Sequence, residues 1–209
     1  MFTIHPLILG PLENNTYILA DEHSGQAAVV DPSFELDPIL DLLEENEYRL
    51  RYILLTHSHY DHVVNALPLS DRYDPTILIA LHPSDEILWM EGSGSDLFGI
   101  NFRPNRLPDF HLFHTQKIPL GSDEIEVRQT PGHTPGSVSF VLHTNQAVLT
   151  GDLIFFHSVG RTDLKGGDPV ALLNSIEKQI LTLPPAYRIL SGHGPESSVE
   201  EELRNNPFL

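Results

Sequence analysis

A chain of 209 residues with 40% apolar and 20% charged residues has the length and composition of one soluble globular unit able to bury a core, which argues against disorder. Twelve Lys and Arg against 29 Asp and Glu give a formal charge of -17, which disfavours nucleic acid and anionic membranes as partners and favours a small molecule. With no cysteine there is neither a disulfide nor a thiolate metal site, so any metal must be held by nitrogen and oxygen.

The opening MFTIHPLILGPL has no basic residue ahead of its apolar stretch and is broken by His5 and Pro6, unlike a secretory signal. No apolar run is long enough to cross a bilayer, and the expected compartment is the cytoplasm. Three β-rich runs at 2–9, 15–20 and 26–31, separated by Gly, Asn, Asp and Ser, read as an antiparallel meander. Leu36, Ile39, Leu40 and Leu43 then repeat at helical spacing over 35–47. RYILLT (51–56) reads as a strand buried on both faces, and the pattern is helical from His62 to Ser70.

TILIAL (76–81) is a second buried strand, followed by a short helix, PSDEILWM, with Pro83 in its first turn. Residues 92–110, rich in Gly, Asn, Pro and Arg, form a surface excursion of the length that often shapes a binding site. Strands are expected at 123–130, 137–142 and 147–150, then a helix around 168–181, a strand at 188–190 and a last helix from about Glu196. Two similar halves, each a sheet beside helices, predict an α/β (α+β) four-layer sandwich in a single domain, 1–209.

Within LLTHSHYDHV (54–63), three histidines and an aspartate crowd six positions. If 57–61 is extended, His57, His59 and Asp61 share one face while Ser58 and Tyr60 share the other. Three more candidates follow strands beside glycine: His133 in TPGHTPG, Asp152 in TGD and His193 in SGHGP. Strand ends are where ligand crevices form in α/β sheets, and glycine lets backbone approach closely. Together with His62 these groups exceed what one tetrahedral zinc can use but suit two metals sharing a carboxylate and a water. The competing reading is a set of separately satisfied polar residues in loops.

On these residues the sequence resembles the metallo-β-lactamase fold superfamily, whose signature is HxHxDH followed by a distant His, Asp and His. The resemblance implies that His57, His59 and His133 bind a first metal, Asp61, His62 and His193 a second, and that Asp152 bridges them. It implies the αβ/βα sandwich as well. The stretches TPGHTPGSV, GDLIF, VGRTD and NNPFL further resemble the short bacterial glyoxalase II-like hydrolases. Full-length glyoxalase II adds a helical domain that grips glutathione, whereas this sequence ends sixteen residues after His193, which leaves the thiol carrier open.

The expected activity is hydrolysis of a thioester of the S-lactoylglutathione (hydroxyacylglutathione) type. Two divalent ions, zinc first with iron or manganese as alternatives, would lower the pKa of a shared water toward about 7, and the resulting hydroxide would attack. Asp61 would hydrogen-bond that water and handle its proton. The alternative is persulfide oxidation, because persulfide dioxygenases share the fold and a similar GRTD stretch but use one iron held by the equivalents of His57, His133 and Asp152. A non-catalytic metal-binding protein is the third class. The expected assembly is a monomer or a small homo-oligomer.

Other residues carry two readings each. The resemblance makes Asp31 in VVDPS a carboxylate that orients a metal-bound histidine, against an Asx turn before Pro32. Arg161 in VGRTD stands where glutathione-using relatives carry a basic residue for the substrate's carboxylate, against a surface ion pair with Asp163. His82 and His157 either approach the cleft or serve structure. Tyr60 lines the pocket or packs, and Asn15 turns the chain or faces the site. Phe98, Phe102 and Arg103 form a lid or a loop without a catalytic role. His5, His23, His111, His114 and His143 read as ordinary strand or loop residues.

Overall fold

The computed structural model describes residues 1–73 and 76–209. Two six-stranded mixed sheets lie face to face with helices outside them. The first sheet begins with the expected meander, β1 (Thr3–Leu9), β2 (Asn14–Asp21) and β3 (Gln26–Val30), paired antiparallel. It continues through α1 (Leu36–Glu45) to β4 (Arg49–Leu54), which runs parallel to β3. Two short helices follow, α2 (Tyr60–Val63) and α3 (Ala66–Arg72), then β5 (Leu78–Leu81), α4 (Glu86–Met90) and β6 (Phe110–His111).

The second sheet starts with β7 (Lys117–Leu120), β8 (Asp123–Gln129), β9 (Val138–Leu142) and β10 (Ala147–Gly151), all antiparallel. A small hairpin, β11 (Ile154–Phe155) with β12 (Ser158–Val159), leads into α5 (Pro169–Ser175) and a wider π turn over Ile176–Ile180. β13 (Arg188–Ser191) returns parallel to β10, and β14 (Ser197–Ser198) and α6 (Val199–Asn205) close the order.

Alternation along the strands divides the apolar side chains among three layers. On β2, Ile18 and Ala20 face α1, α3 and α4 through Ile39, Leu43, Leu69 and Trp89, while Leu19 faces the second sheet. Phe140 and Leu142 on β9 fill the space between the sheets, while Val141 and Val148 face Leu172, Ile176 and Val199 on the far side. This is the predicted four-layer sandwich.

The structure departs from the sequence reading in three places. The chain is extended only as far as His59 (φ -71, ψ 144), and α2 starts at Tyr60, so Asp61 does not share a strand face with His57 and His59. The helix read over 62–70 is divided at Asn65, whose backbone N–H and side-chain amide donate to the carbonyls of Pro32 and Ser33. The short strands β6, β7, β11, β12 and β14 were not expected. β7 carries Pro119, which an edge strand tolerates because its outward N–H needs no partner.

The chain leaves β3, β4, β8, β10 and β13 at one rim of the sandwich, and the β1–β2 turn comes to the same rim, where Asn14 bridges to His193. We expect Phe140→Ala, a deletion at the centre of the middle layer, to lower unfolding free energy by about 3–5 kcal/mol in urea titration.

Candidate metal centre

Five of the seven ligand candidates sit just past a strand end, and Asp61 and His62 lie in α2. His57 and His59 follow β4, His133 follows β8, Asp152 follows β10 and His193 follows β13. His57, His59 and His133 each offer one ring nitrogen within 4.8 Å of the others. His59 Nδ1 and His133 Nε2 are 2.8 Å apart. On its far side His133 Nδ1 donates to the Arg161 carbonyl at 2.8 Å, so a neutral ring turns its Nε2 lone pair into the cluster.

Asp61, His62 and His193 form a second group. Asp61 Oδ2 lies 3.5 Å from His62 Nε2 and 3.4 Å from His193 Nε2. The opposite ring atoms are again anchored, His62 Nδ1 on Asp31 Oδ2 at 3.0 Å and His193 Nδ1 on the Leu12 carbonyl at 2.9 Å. Asp152 stands between the groups, with Oδ1 3.3 Å from His62 Nε2 and Oδ2 3.6 and 3.7 Å from the Nε2 atoms of His133 and His193. All seven side chains singled out in the sequence therefore meet. His59, Asp61, His133, Asp152 and His193 form the floor of a cavity of about 1080 Å³, with His57 and His62 buried beneath it.

The model of the metallo-beta-lactamase superfamily matches residues 9–193. The chain belongs to the metallo-β-lactamase superfamily. Within it, the chain is 37% identical over 207 residues to the probable metallo-hydrolase YqgX of Bacillus subtilis, covering 96% of this chain and 94% of that protein. It is 33% identical over 199 residues to the hydroxyacylglutathione hydrolase GloC of Haemophilus influenzae, covering 94% and 92%. Among solved structures, the BLEG-1 B3 metallo-β-lactamase superposes with a TM-score of 0.92 at 33% identity over 99% of both chains. TTHA1623, solved in a di-iron-bound form, gives 0.88 at 36% identity over 98% of this chain and 100% of that one. The fold and the superfamily are those expected from the sequence, and the relatives place the chain among metal-dependent hydrolases.

The residues present fit divalent metals. Buried polar atoms are normally hydrogen-bonded, yet His57 Nε2 and Asp152 Oδ1 have no hydrogen-bond partner among the described residues, and both sit in the cluster. Imidazole and carboxylate donors suit zinc, iron and manganese alike.

Charge is divided between the two halves of this superfamily site. Burial, with the neighbouring imidazoles His62 and His133, holds His57 well below the usual histidine range. Burial and His133 pull His59 down to about 3. Burial also acts to lower His62, but the carboxylates of Asp152 and Asp61 outweigh it and hold that ring well above its usual range. His193 is raised in the same way by Asp61 and Asp152. Asp61 and Asp152 are in turn held far below ordinary carboxylates, because His62 and the other rings outweigh the opposing effect of burial.

Carboxylates behind the ligands fix their geometry. Asp31 Oδ1 accepts from the Thr56 N–H at 2.7 Å, and Oδ2 accepts from Thr56 Oγ1 at 2.5 Å and His62 Nδ1 at 3.0 Å. Its oxygens are thus engaged with Thr56 and His62 rather than in a turn before Pro32.

Two further residues went unnoticed in the sequence. Asn14, buried, donates from Nδ2 to Asp61 Oδ2 at 2.8 Å and lies 3.3 Å from both His62 Nε2 and His193 Nε2. Asp85, just ahead of α4 and buried, accepts from the Ser58 N–H at 2.9 Å, Thr134 Oγ1 at 2.8 Å and the Gly136 N–H at 2.7 Å. One carboxylate therefore ties the loop of His57 and His59 to the loop of His133. Burial pushes its pKa up although these bonds oppose the rise. Gly192 is required for space, since a Cβ there would stand 2.3 Å from Asp152 Oδ1 and 2.7 Å from a His62 ring carbon.

The remaining candidates divide. Tyr60 is buried, lines the cavity and packs its ring against Phe98 and Phe102 at 6.0 and 5.4 Å. Phe98 lines the cavity as well, while Phe102 packs on Trp89 and Arg103 pairs with Asp96. Asn15 holds the His193 loop through the carbonyls of Ser191 and Gly194. Arg161 reaches the cavity, but its guanidinium is engaged by both oxygens of Asp163 at 2.7 and 2.8 Å. His82 caps the turn at Pro83 and contacts Gln129, and His157 pairs with Glu201, so both serve structure.

Asp85→Asn removes one acceptor site from a buried clamp and should weaken the tighter metal about 10–100-fold in a chelator competition, with circular dichroism unchanged. Unaltered affinity would show that the clamp does not position the ligands. Because burial and neighbouring rings disfavour protons on His57 and His59 while Asp61 and Asp152 favour them on His62 and His193, uptake of a second ion, on Asp61, His62 and His193, should release more protons at neutral pH than uptake of the first. The affinity for that second ion should therefore fall faster on acidification. Calorimetry in buffers of different ionisation enthalpy measures this, and equal release from both ions would contradict it.

Proposed function

We propose that the protein is a binuclear metal-dependent hydrolase of thioesters of the hydroxyacylglutathione type. In this reading residues 1–209 act as a single domain, with His57, His59 and His133 as one ligand set, Asp61, His62 and His193 as the other, and Asp152 shared. The observation that carries it is the position of Asp152, within 3.3–3.7 Å of rings from both sets, at the floor of a cavity large enough for a substrate. The similarity to the hydroxyacylglutathione hydrolase GloC supports the choice of thioester.

Divalent cations bound there supply Lewis acidity and bring the pKa of a bound water down to about 7. The protein's own groups do the rest. Asp61, held in place by the Asn14 side-chain amide at 2.8 Å, can accept a hydrogen bond from the attacking water and orient it. Asp31 and the Leu12 carbonyl fix the rings of His62 and His193 so that their inner nitrogens stay aimed at the cluster. Attack forms a carbon–oxygen bond at the thioester carbonyl and breaks the carbon–sulfur bond, yielding a carboxylate and a thiol. Arg161, on the cavity wall, takes a carboxylate of the carrier in exchange for Asp163.

The test is metal analysis of the purified protein alongside S-lactoylglutathione hydrolysis and persulfide-dependent oxygen uptake on the same sample. Two ions per chain with thioester turnover are expected. His59→Ala and Asp152→Ala should each lower kcat/KM by on the order of a thousandfold, since a catalytic metal contributes several kcal/mol. One iron per chain with oxygen uptake on glutathione persulfide would replace hydrolysis by oxidation.

A further inference from the structure

The cavity over the cluster has walls of two kinds. Every charged side chain on them outside the cluster has a partner: Glu91 with Lys165, Asp96 with Arg103, and Arg161 with Asp163. The rest of the wall is mainly apolar, with Leu12 from the β1–β2 turn, Leu88 from α4, Leu97 and Phe98 from the turn that follows, and Leu164 beyond Arg161. Leu12, Leu97 and Phe98 are 42%, 73% and 43% exposed. Exposed apolar residues scattered singly are ordinary, but these converge on the cavity that holds the cluster.

Apolar walls with a few polar groups at the reacting end are the usual form of a small-molecule site. A charged acyl group would have to compete with Asp163 for Arg161, the cation that the hydrolase reading gives to the carrier, or with Glu91 for Lys165. An uncharged chain displaces water from Leu12, Leu97 and Phe98 with no such exchange. We propose that this cavity seats the acyl part of the substrate as an unbranched apolar chain, so that, among acyl thioesters on one carrier, turnover rises with chain length from acetyl to octanoyl. The proposal rests on the hydrolase reading for its chemistry: water adds to the carbonyl, the carbon–sulfur bond breaks, and a fatty carboxylate and the thiol leave with one proton released. The walls alone decide its specificity.

The experiment keeps glutathione as the carrier and varies the acyl group through acetyl, butanoyl, hexanoyl and octanoyl, with S-lactoylglutathione alongside, on the metal-loaded protein. Each buried methylene should raise kcat/KM about three- to fourfold, the equivalent of ~0.8 kcal/mol. Leu97→Ser and Phe98→Ser, at partly exposed positions where the fold is not at stake, should each flatten that dependence. Calorimetric titration with butanoate, hexanoate and octanoate gives a readout independent of turnover: affinity should rise with length and the heat-capacity change should become more negative. If no thioester is cleaved yet carboxylate affinity still climbs with length, the hydrolase reading fails and the acyl site stands. Rates and affinities that stay flat or fall with length would overturn the acyl site, whatever becomes of S-lactoylglutathione.

Discussion

Two imidazole nitrogens 2.8 Å apart, with a third ring beside them, are an arrangement that buried groups do not adopt for their own sake. His57, His59 and His133 hold their nitrogens within reach of one shared cation, with His59 and His133 in hydrogen-bond contact and His57 Nε2 left without a partner among the described residues. The rest of the molecule answers that constraint. Two sheets meet so that their strand ends share a rim, glycine at 192 lets one backbone approach Asp152 and His62, and hydrogen bonds behind the rings settle which nitrogen faces inward.

The supporting groups are themselves charged and buried, which is expensive unless each lone pair has a donor. Asp31 meets that condition through Thr56 and His62, and Asp85 through Ser58, Thr134 and Gly136. The two carboxylates act on different joints. Asp31 connects the end of β3 to the loop after β4 within the first sheet, whereas Asp85 connects that loop to the one after β8 in the second. Rigidity at the centre thus comes from polar contacts both within the first sheet and across the seam to the second.

Much of this was legible in the sequence because the ligands carry local marks. HSHYDH announces itself by crowding, and His133, Asp152 and His193 by glycine next to a strand end. The strands and helices that place them follow from apolar periodicity. What could not be read depends on tertiary approach. Asp85 lies in PSDEI, where an aspartate looks like any first-turn residue of a helix, and only the pairing of β4 with β5 brings it to Ser58. Asn14 sits in ENNTY, where either asparagine could turn the chain. The extended reading of 57–61 failed because alternation is a property of strands, and Tyr60 already begins a helix. Two-residue strands such as β6 and β14 carry no periodicity to detect.

The bridge between Asn14 and His193 joins positions 179 residues apart, and Asn15 and Tyr17 reach Ser191 across the same gap. Contacts so distant in sequence form late, after the closure entropy of the intervening chain has been overcome. A ribosome-bound nascent chain would expose HSHYDH long before its counterpart from β13 exists. The two groups of ring nitrogens therefore come together only once β13 has joined β10 and carried His193 to the rim where Asn14 waits.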